Sequence, residues 1–192
     1  MAGIRQFDEG VALDRALEVF WKKGYGPTSM QDLAAATGVQ RGSLYNAYRD
    51  KESLFLQVFD RYKSRRLAEA RAALDKPDIE DALRSYFDVT ITSMTEGSPA
   101  RGCLTTRTAT DTTADADEIH AQLKSMVDGL QQELNIRLST PEALSRLSLP
   151  PAEAARLLIT LTRGIVIMES IYHDTASLRA TVEAMIKVLL AK

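Results

Sequence analysis

The chain predicts an all-α protein: an N-terminal three-helix head built around a helix-turn-helix, followed by a larger helical body, about nine helices in all. Three observations carry that expectation. Apolar residues recur at steps of three and four along most of the sequence. Two short helical segments meet at Thr37-Gly38, where glycine can take the left-handed conformation a helix exit needs. The final two segments, from Pro150 onward, each carry one continuous apolar stripe.

Each element has its own signal. Leu13, Ala16, Leu17 and Phe20 form the core stripe of helix one, with Gly24 as its exit. Thr28, followed three residues later by Gln31, has the form of a capping box, in which a hydroxyl and an amide satisfy the free N–H groups of a helix start. Helix two therefore opens near Ser29, turns Leu33 and Ala34 inward and stops at Thr37-Gly38. Val39 follows as a buried plug. Ala34, Gly38, Val39 and Leu44 sit where a helix-turn-helix needs a small crossing residue, a turn glycine and two core anchors. Helix three, about Arg41 to Tyr48, buries Leu44 and presents Gln40, Arg41, Ser43, Tyr45 and Asn46 outward, side chains suited to phosphates and base edges.

The body begins with helix four, which starts at the Asp50 cap, passes Leu54, Val58 and Tyr62, and stops before Lys76-Pro77. The sequence thus divides into a helix-turn-helix head over residues 1–50 and a helical body over 51–192, with helix four, about 51–74, as connector. Helix five carries Leu83, Phe87, Ile91 and Met94 and ends at Gly97 and Pro99. A short helix spans about Cys103 to Thr110. A longer one, Asp115 to about Leu138, places Ile119, Leu123, Met126, Leu130, Leu134 and Leu138 on one face. Pro150-Pro151 with Glu153 is a favoured helix start. Leu157, Leu161, Ile165, Met168 and Tyr172 then line one stripe, and Leu178, Val182, Met185 and Leu189 line the next. Two such helices bury their stripes against each other in one chain or against a second copy, and spacing does not choose between the two.

Charge and composition narrow the class. The formal net charge is −2, but residues 1–66 hold 11 Lys and Arg against 8 Asp and Glu, while residues 67–192 hold 13 against 18. The basic excess lies on the head, as a nucleic-acid binder requires. The start, MAGIRQFDEG, lacks the apolar core of a secretory signal. The longest apolar run, Leu157 to Met168, is interrupted by Arg163 and falls short of the roughly 20 residues that span a bilayer. A cytoplasmic protein without a membrane partner is expected, and its single cysteine, Cys103, suits a reducing compartment. A Gly-rich phosphate loop, a nucleophile beside a histidine and a metal-ligand spacing are all missing, so neither an enzyme nor a cofactor-holding protein is expected. With an enzyme as the competing class thus unsupported, a helical adaptor that binds protein through the head is a third class, and salt-dependent binding to random DNA separates it from a DNA binder.

The stretch FWKKGYGPTSMQDLAAATGVQRGSLYNAYRDKESLF, Phe20 to Phe55, resembles the N-terminal domain of the TetR/AcrR family of one-component transcriptional regulators. The Gly-Tyr after helix one, the Thr-Ser opening helix two, the Ala-Thr-Gly-Val turn, the Leu-Tyr of helix three and the Asp-Lys-Glu opening helix four all match. The segment ARGCLTTRTATD, Ala100 to Asp111, resembles the Arg-Gly-Cys-Leu of helix six in a subgroup of that family. Where the subgroup often continues with Leu and Asn, this chain has Thr105 and Arg107. The resemblance implies a repressor released from a palindromic operator when a small molecule binds the body. It implies a pocket between helices five to eight whose occupancy moves helix four, and a homodimer through the last two helices. A twofold dimer then reads an inverted repeat, with half-sites a helical turn or more apart.

Candidate site residues follow from both sources. Arg41 and Gln40 are the base-reading candidates, because arginine reads guanine bidentately and the start of helix three penetrates deepest. Gly42 lets the backbone come close, and Ser43 and Asn46 face the same way. Thr28 can cap helix two and touch phosphate with the same hydroxyl. The resemblance assigns Tyr45 and Tyr48 to phosphate or base contact, against a plain reading as partly buried rings. It assigns a phosphate to Lys51, otherwise a solvated lysine. Candidate effector contacts are Tyr86, Phe87, Met94, Cys103, Arg107, Met126 and Met168, although a Met stripe at helical spacing also reads as core. Cys103 is either a small buried residue or a thiolate activated by Arg101 or Arg107, through which oxidants or electrophiles release DNA. Arg163 pairs with Glu169, Asp174 or an anionic ligand, or lies at a dimer edge. The candidate dimer residues are Leu161, Ile165, Met168, Tyr172, Leu178, Val182, Met185 and Leu189.

Overall fold

A computed structural model describes residues 7–95, 97 and 102–190 of the 192. Among these residues ten helices form and no strand: α1 Glu9–Lys23, α2 Met30–Thr37, α3 Arg41–Tyr48, α4 Lys51–Leu74, α5 Ile79–Thr95, α6 Leu104–Ala109, α7 Asp117–Leu138, α8 Pro141–Leu144, α9 Pro151–Tyr172 and α10 Thr175–Leu189. The helix beyond the nine expected is α8. Thr140 caps it, accepting from the Ala143 N–H, and Pro141 opens it. Four residues are too short to show a period, so the pattern of apolar spacing passes over it. The expected stop of α5 at Pro99 lies outside the described residues, while Gly97 takes φ +92° just past the helix end.

The chain divides into two compact units, and the division falls within α4. One unit runs up to Ser64 and takes in Leu104–Lys124; the other is Arg65–Cys103 with the chain from Ser125 onward. The first unit therefore includes the start of α4, all of α6 and the start of α7, which a boundary at residue 50 leaves to the body. Its core is aromatic. Phe20 and Tyr25 each meet Phe55 edge-on at 5.0 Å between ring centres, and Trp21 meets Tyr62 at 5.3 Å. Each such pair contributes about 0.5–1.5 kcal/mol beyond its buried area. Leu33 of α2 and Leu44 of α3 are fully buried, as their spacing predicts. Val39, expected as a buried plug, is only half-buried.

In the second unit α5 packs against α9 and α10, burying Leu83, Phe87 and Ile91. Arg84 ties α5 to α10 by donating to both carboxylate oxygens of Glu183, at 2.8 and 3.0 Å. Arg146 reaches back to Asp78 at 2.6 Å and Glu80 at 2.9 Å. The stripe expected to meet a second copy is split by this packing. Ile165, Leu178, Val182 and Leu189 are buried inside the one chain, whereas Leu161 and Met185 are half-buried. Met168 and Tyr172 stand out at 47% and 66% exposure, joined by Leu157, Ile167, Ile171 and Val188. The reason is helical phase: residues 158, 162, 165 and 169 share the buried face of α9, so 157, 164, 168 and 171 turn outward. Among the described residues no helix is long and apolar enough to cross a membrane.

Candidate nucleic-acid interface

The reading pair is fixed by its ends. Ser29, in extended conformation, caps α2: its hydroxyl accepts from the Asp32 N–H at 3.2 Å, and the Asp32 carboxylate accepts from the Ser29 N–H at 3.0 Å. The capping box is therefore one residue later than Thr28 and Gln31. Thr28 cannot serve, because its hydroxyl is buried and donates to the Gly24 carbonyl at 2.6 Å. The hydroxyl expected to touch phosphate is thus buried and bonded within the chain. Lys23 donates to Asp32 at 2.6 Å, and this bond, with those from Ser29, lowers the Asp32 carboxyl from 3.8 to about 2. At the far end Gly38 adopts φ +71°, the left-handed exit, and Arg15 donates to the Thr37 carbonyl at 3.1 Å.

Beyond that turn α3 exposes Gln40, Arg41, Gly42, Tyr45 and Asn46, with Ser43 half-buried. Arg41 lies over the Tyr45 ring at 5.4 Å and donates to its hydroxyl at 3.4 Å, so the two share one exposed face. A β-carbon on Gly42 would meet nothing within 4 Å. Among the described residues no neighbour demands glycine there, although glycine costs a helix about 1 kcal/mol relative to alanine. Tyr48, expected on the groove side, is 1% exposed, its ring 6.5 Å from Phe7. Counting from Leu44, a step of four returns to the inner face, which is why Tyr48 is core and Tyr45 is not. Lys51 is also engaged internally, donating to the carbonyls of Tyr25 and Gly26 at 3.0 and 3.2 Å.

The candidate effector residues do not share one environment. Tyr86, Phe87, Met94 and Met126 are buried. Desolvation raises the Tyr86 phenol to about 12. Arg107 lies in the first unit and donates to the Trp21 and Lys22 carbonyls, so its guanidinium serves the end of α1 rather than a body pocket. Met168 is on the exposed face of α9. Cys103 is half-buried, and Arg163 donates to its sulfur at 3.5 Å and to Thr162 at 3.2 Å. That pairing replaces the partners expected for Arg163. Arg101, the other expected activator of the thiol, lies outside the described residues. Reading the sequence missed Arg15, Arg107 and Asp111 as supports of the head. Only the departure at Arg107 from the subgroup pattern was visible as a signal.

Residues 12–58 match the family model described as bacterial regulatory proteins of the tetR family. Residues 80–185 match a second, the tetracyclin repressor-like C-terminal domain. The chain belongs to the TetR family. It is 34% identical over 147 residues to the HTH-type transcriptional repressor ComR of Escherichia coli strain K12, a match covering 76% of this chain and 69% of that protein. Its fold is that of reduced NemR from E. coli, with a TM-score of 0.85 at 17% identity, covering 94% and 95% of the two chains. It is likewise similar to CifR, solved as a cysteine mutant with a 26-bp double-strand operator, with a TM-score of 0.81 at 24% identity, covering 96% and 98%. Membership in the TetR family makes this chain a DNA-binding transcriptional regulator with a ligand-binding C-terminal domain.

Proposed function

We propose that this TetR-family chain is a cytoplasmic repressor that holds an inverted-repeat operator as a homodimer and leaves it when a small molecule occupies the body. The observation that carries the reading is the exposed face of α3, where Gln40, Arg41, Gly42, Tyr45 and Asn46 are free of core duty while Leu44 and Tyr48 anchor the helix from behind. The ComR relative is a transcriptional repressor, and a duplex operator is the partner in the CifR structure. Arg41 and Gln40 read bases, and Tyr45, Ser43 and Asn46 contact base edges or phosphates. Release requires that the effector bind the DNA-free state more tightly, since equal affinity for both states shifts nothing. The reading assigns the chain no enzymatic activity and no cofactor.

The intergenic DNA beside the gene, searched for an inverted repeat, supplies the test duplex. Arg41→Ala costs about 1–3 kcal/mol on that duplex and much less on a random one. Equal losses on both would reduce Arg41 to a phosphate contact. The Arg163 guanidinium beside Cys103 favours a second reading of the trigger, in which a soft electrophile such as an α,β-unsaturated carbonyl alkylates the Cys103 thiolate. A sulfur–carbon bond forms and the electron pair of the carbon–carbon double bond passes to the adjacent carbon, which takes up a proton. A Cys103→Ser variant that the electrophile still releases from DNA removes that reading.

A further inference from the structure

The segment Gly24 to Thr28 leads into the capped start of α2, and the first unit holds it from several sides. Arg107 of α6 donates through one guanidinium nitrogen to the carbonyls of Trp21 and Lys22, the latter at 3.0 Å. Those are last-turn carbonyls of α1, which find no partner within their own helix. Asp111, two residues past α6, accepts from the Gly26 N–H at 2.8 Å. Lys51 donates to the Tyr25 and Gly26 carbonyls, and its ammonium lies 4.3 Å from the centre of the Tyr25 ring. The approach is close: a β-carbon at residue 26 would collide with the Thr113 hydroxyl and stand 3.1 Å from the Asp111 carboxylate, so a larger residue there would have to displace the Thr113 side chain. Thr113 donates to that same carboxylate through both its hydroxyl and its N–H, at 2.6 and 3.0 Å. The Thr113 hydroxyl, then the Gly26 N–H, holds the Asp111 carboxyl below its ordinary value.

These bonds converge on the entry to the reading pair. The carbonyls Arg107 grips lie just before Gly24, the N–H that Asp111 accepts lies between Gly24 and Thr28, and the Thr28 hydroxyl closes the segment onto the Gly24 carbonyl at 2.6 Å. We propose that Arg107 and Asp111 are positioning residues for DNA recognition: α6 and the turn after it clamp the entry to α2 and so set the orientation of α2 and α3. Neither residue reads DNA. The proposal rests on the DNA-binding reading above.

The test uses the full chain with two labelled duplexes, the intergenic fragment and a random sequence, each titrated over a salt series. Arg107→Ala weakens binding to the intergenic fragment about tenfold, the equivalent of losing a charge-assisted hydrogen bond or two. It leaves binding to the random duplex and the salt slope unchanged. Arg107→Lys recovers most of the loss, since an ammonium still donates to a carbonyl. Asp111→Asn retains more affinity than Asp111→Ala, because its one amide oxygen can still accept from Gly26 although its NH2 group cannot accept from Thr113, whereas Asp111→Ala falls with Arg107→Ala. A salt slope reduced by about one would overturn the proposal, since Arg107 would then be a phosphate contact. Equal loss on both duplexes, or no loss on either, would overturn it too. If Arg107→Ala fails to fold, the Asp111 pair decides, together with amide exchange at Gly26. That exchange accelerates in Asp111→Ala if the clamp holds the turn, and exchange as slow as in the parent overturns the clamp. A parent chain that binds neither duplex defeats the DNA reading itself, and the proposal with it, before any variant is made.

Discussion

At the scale of single residues, the head assigns different duties to chemically similar side chains. Tyr45 and Tyr48 are three positions apart on one short helix, yet one faces outward beside Arg41 and the other is sealed in the core. Lys23 and Lys51 are both lysines at helix ends, but Lys23 pairs with the Asp32 carboxylate while Lys51 binds main-chain carbonyls. The Lys23 pair has a pH signature. With the Asp32 carboxyl at about 2 in the folded chain against an ordinary 3.8, its contribution is fully present above 3.8 and is lost as pH falls through about 2. An NMR titration of the Asp32 side chain is expected to give a midpoint well below 3.8, and Lys23→Ala moves that midpoint upward. A midpoint unmoved by Lys23→Ala would mean that the cap bonds from Ser29 alone hold the carboxylate.

At the scale of elements, length and phase determine what each helix can do. The eight-residue helices α2 and α3 are too short to be stable alone, so caps and buried anchors hold them. Ser29, Asp32 and Gly38 close the ends of α2, and Leu33 and Leu44 fix both helices to the core. The much longer α9 has enough turns to carry two apolar faces. One, through Leu158, Thr162 and Ile165, is used against α5 within the chain. The other, through Leu157, Met168 and Ile171, is left outward. A period of three and four in the sequence marks both faces alike, which is why Ile165 and Met168 looked equivalent and are not. The pattern named the helix correctly and could not say which face its neighbours would cover.

At the scale of the molecule, the outward face of α9 and α10 is what the proposed dimer needs. A groove of about 410 Å³, lined by Leu161, Gly164, Met168, Tyr172 and Ser177 among others, lies along it. Exposed apolar side chains in that density are what a docking face requires, and a twofold axis would make each residue count twice. Ile171→Asp, at a position 61% exposed, leaves the helical content intact and converts the dimer to a monomer in sedimentation velocity. The same variant is expected to lose operator affinity steeply, because one head must then bind without its partner. A dimer that survives the substitution would place the interface elsewhere.

The sequence by itself determined the class of structure and the identity of the head. Helical periodicity, the Thr37-Gly38 turn and the motifs from Phe20 to Phe55 are local features, each written within a short stretch of chain, and every helix but the four-residue α8 stands where they predict. Only the tertiary structure decided which helical faces are used up inside the chain, that Tyr48 is core, that Thr28 bonds to Gly24 and that Arg107 and Asp111 support the head from some 85 positions away. The physical reason is range. A cap or a turn is settled by neighbours along the chain, whereas burial and hydrogen-bond partners depend on which distant surface arrives, and no spacing along the sequence records that.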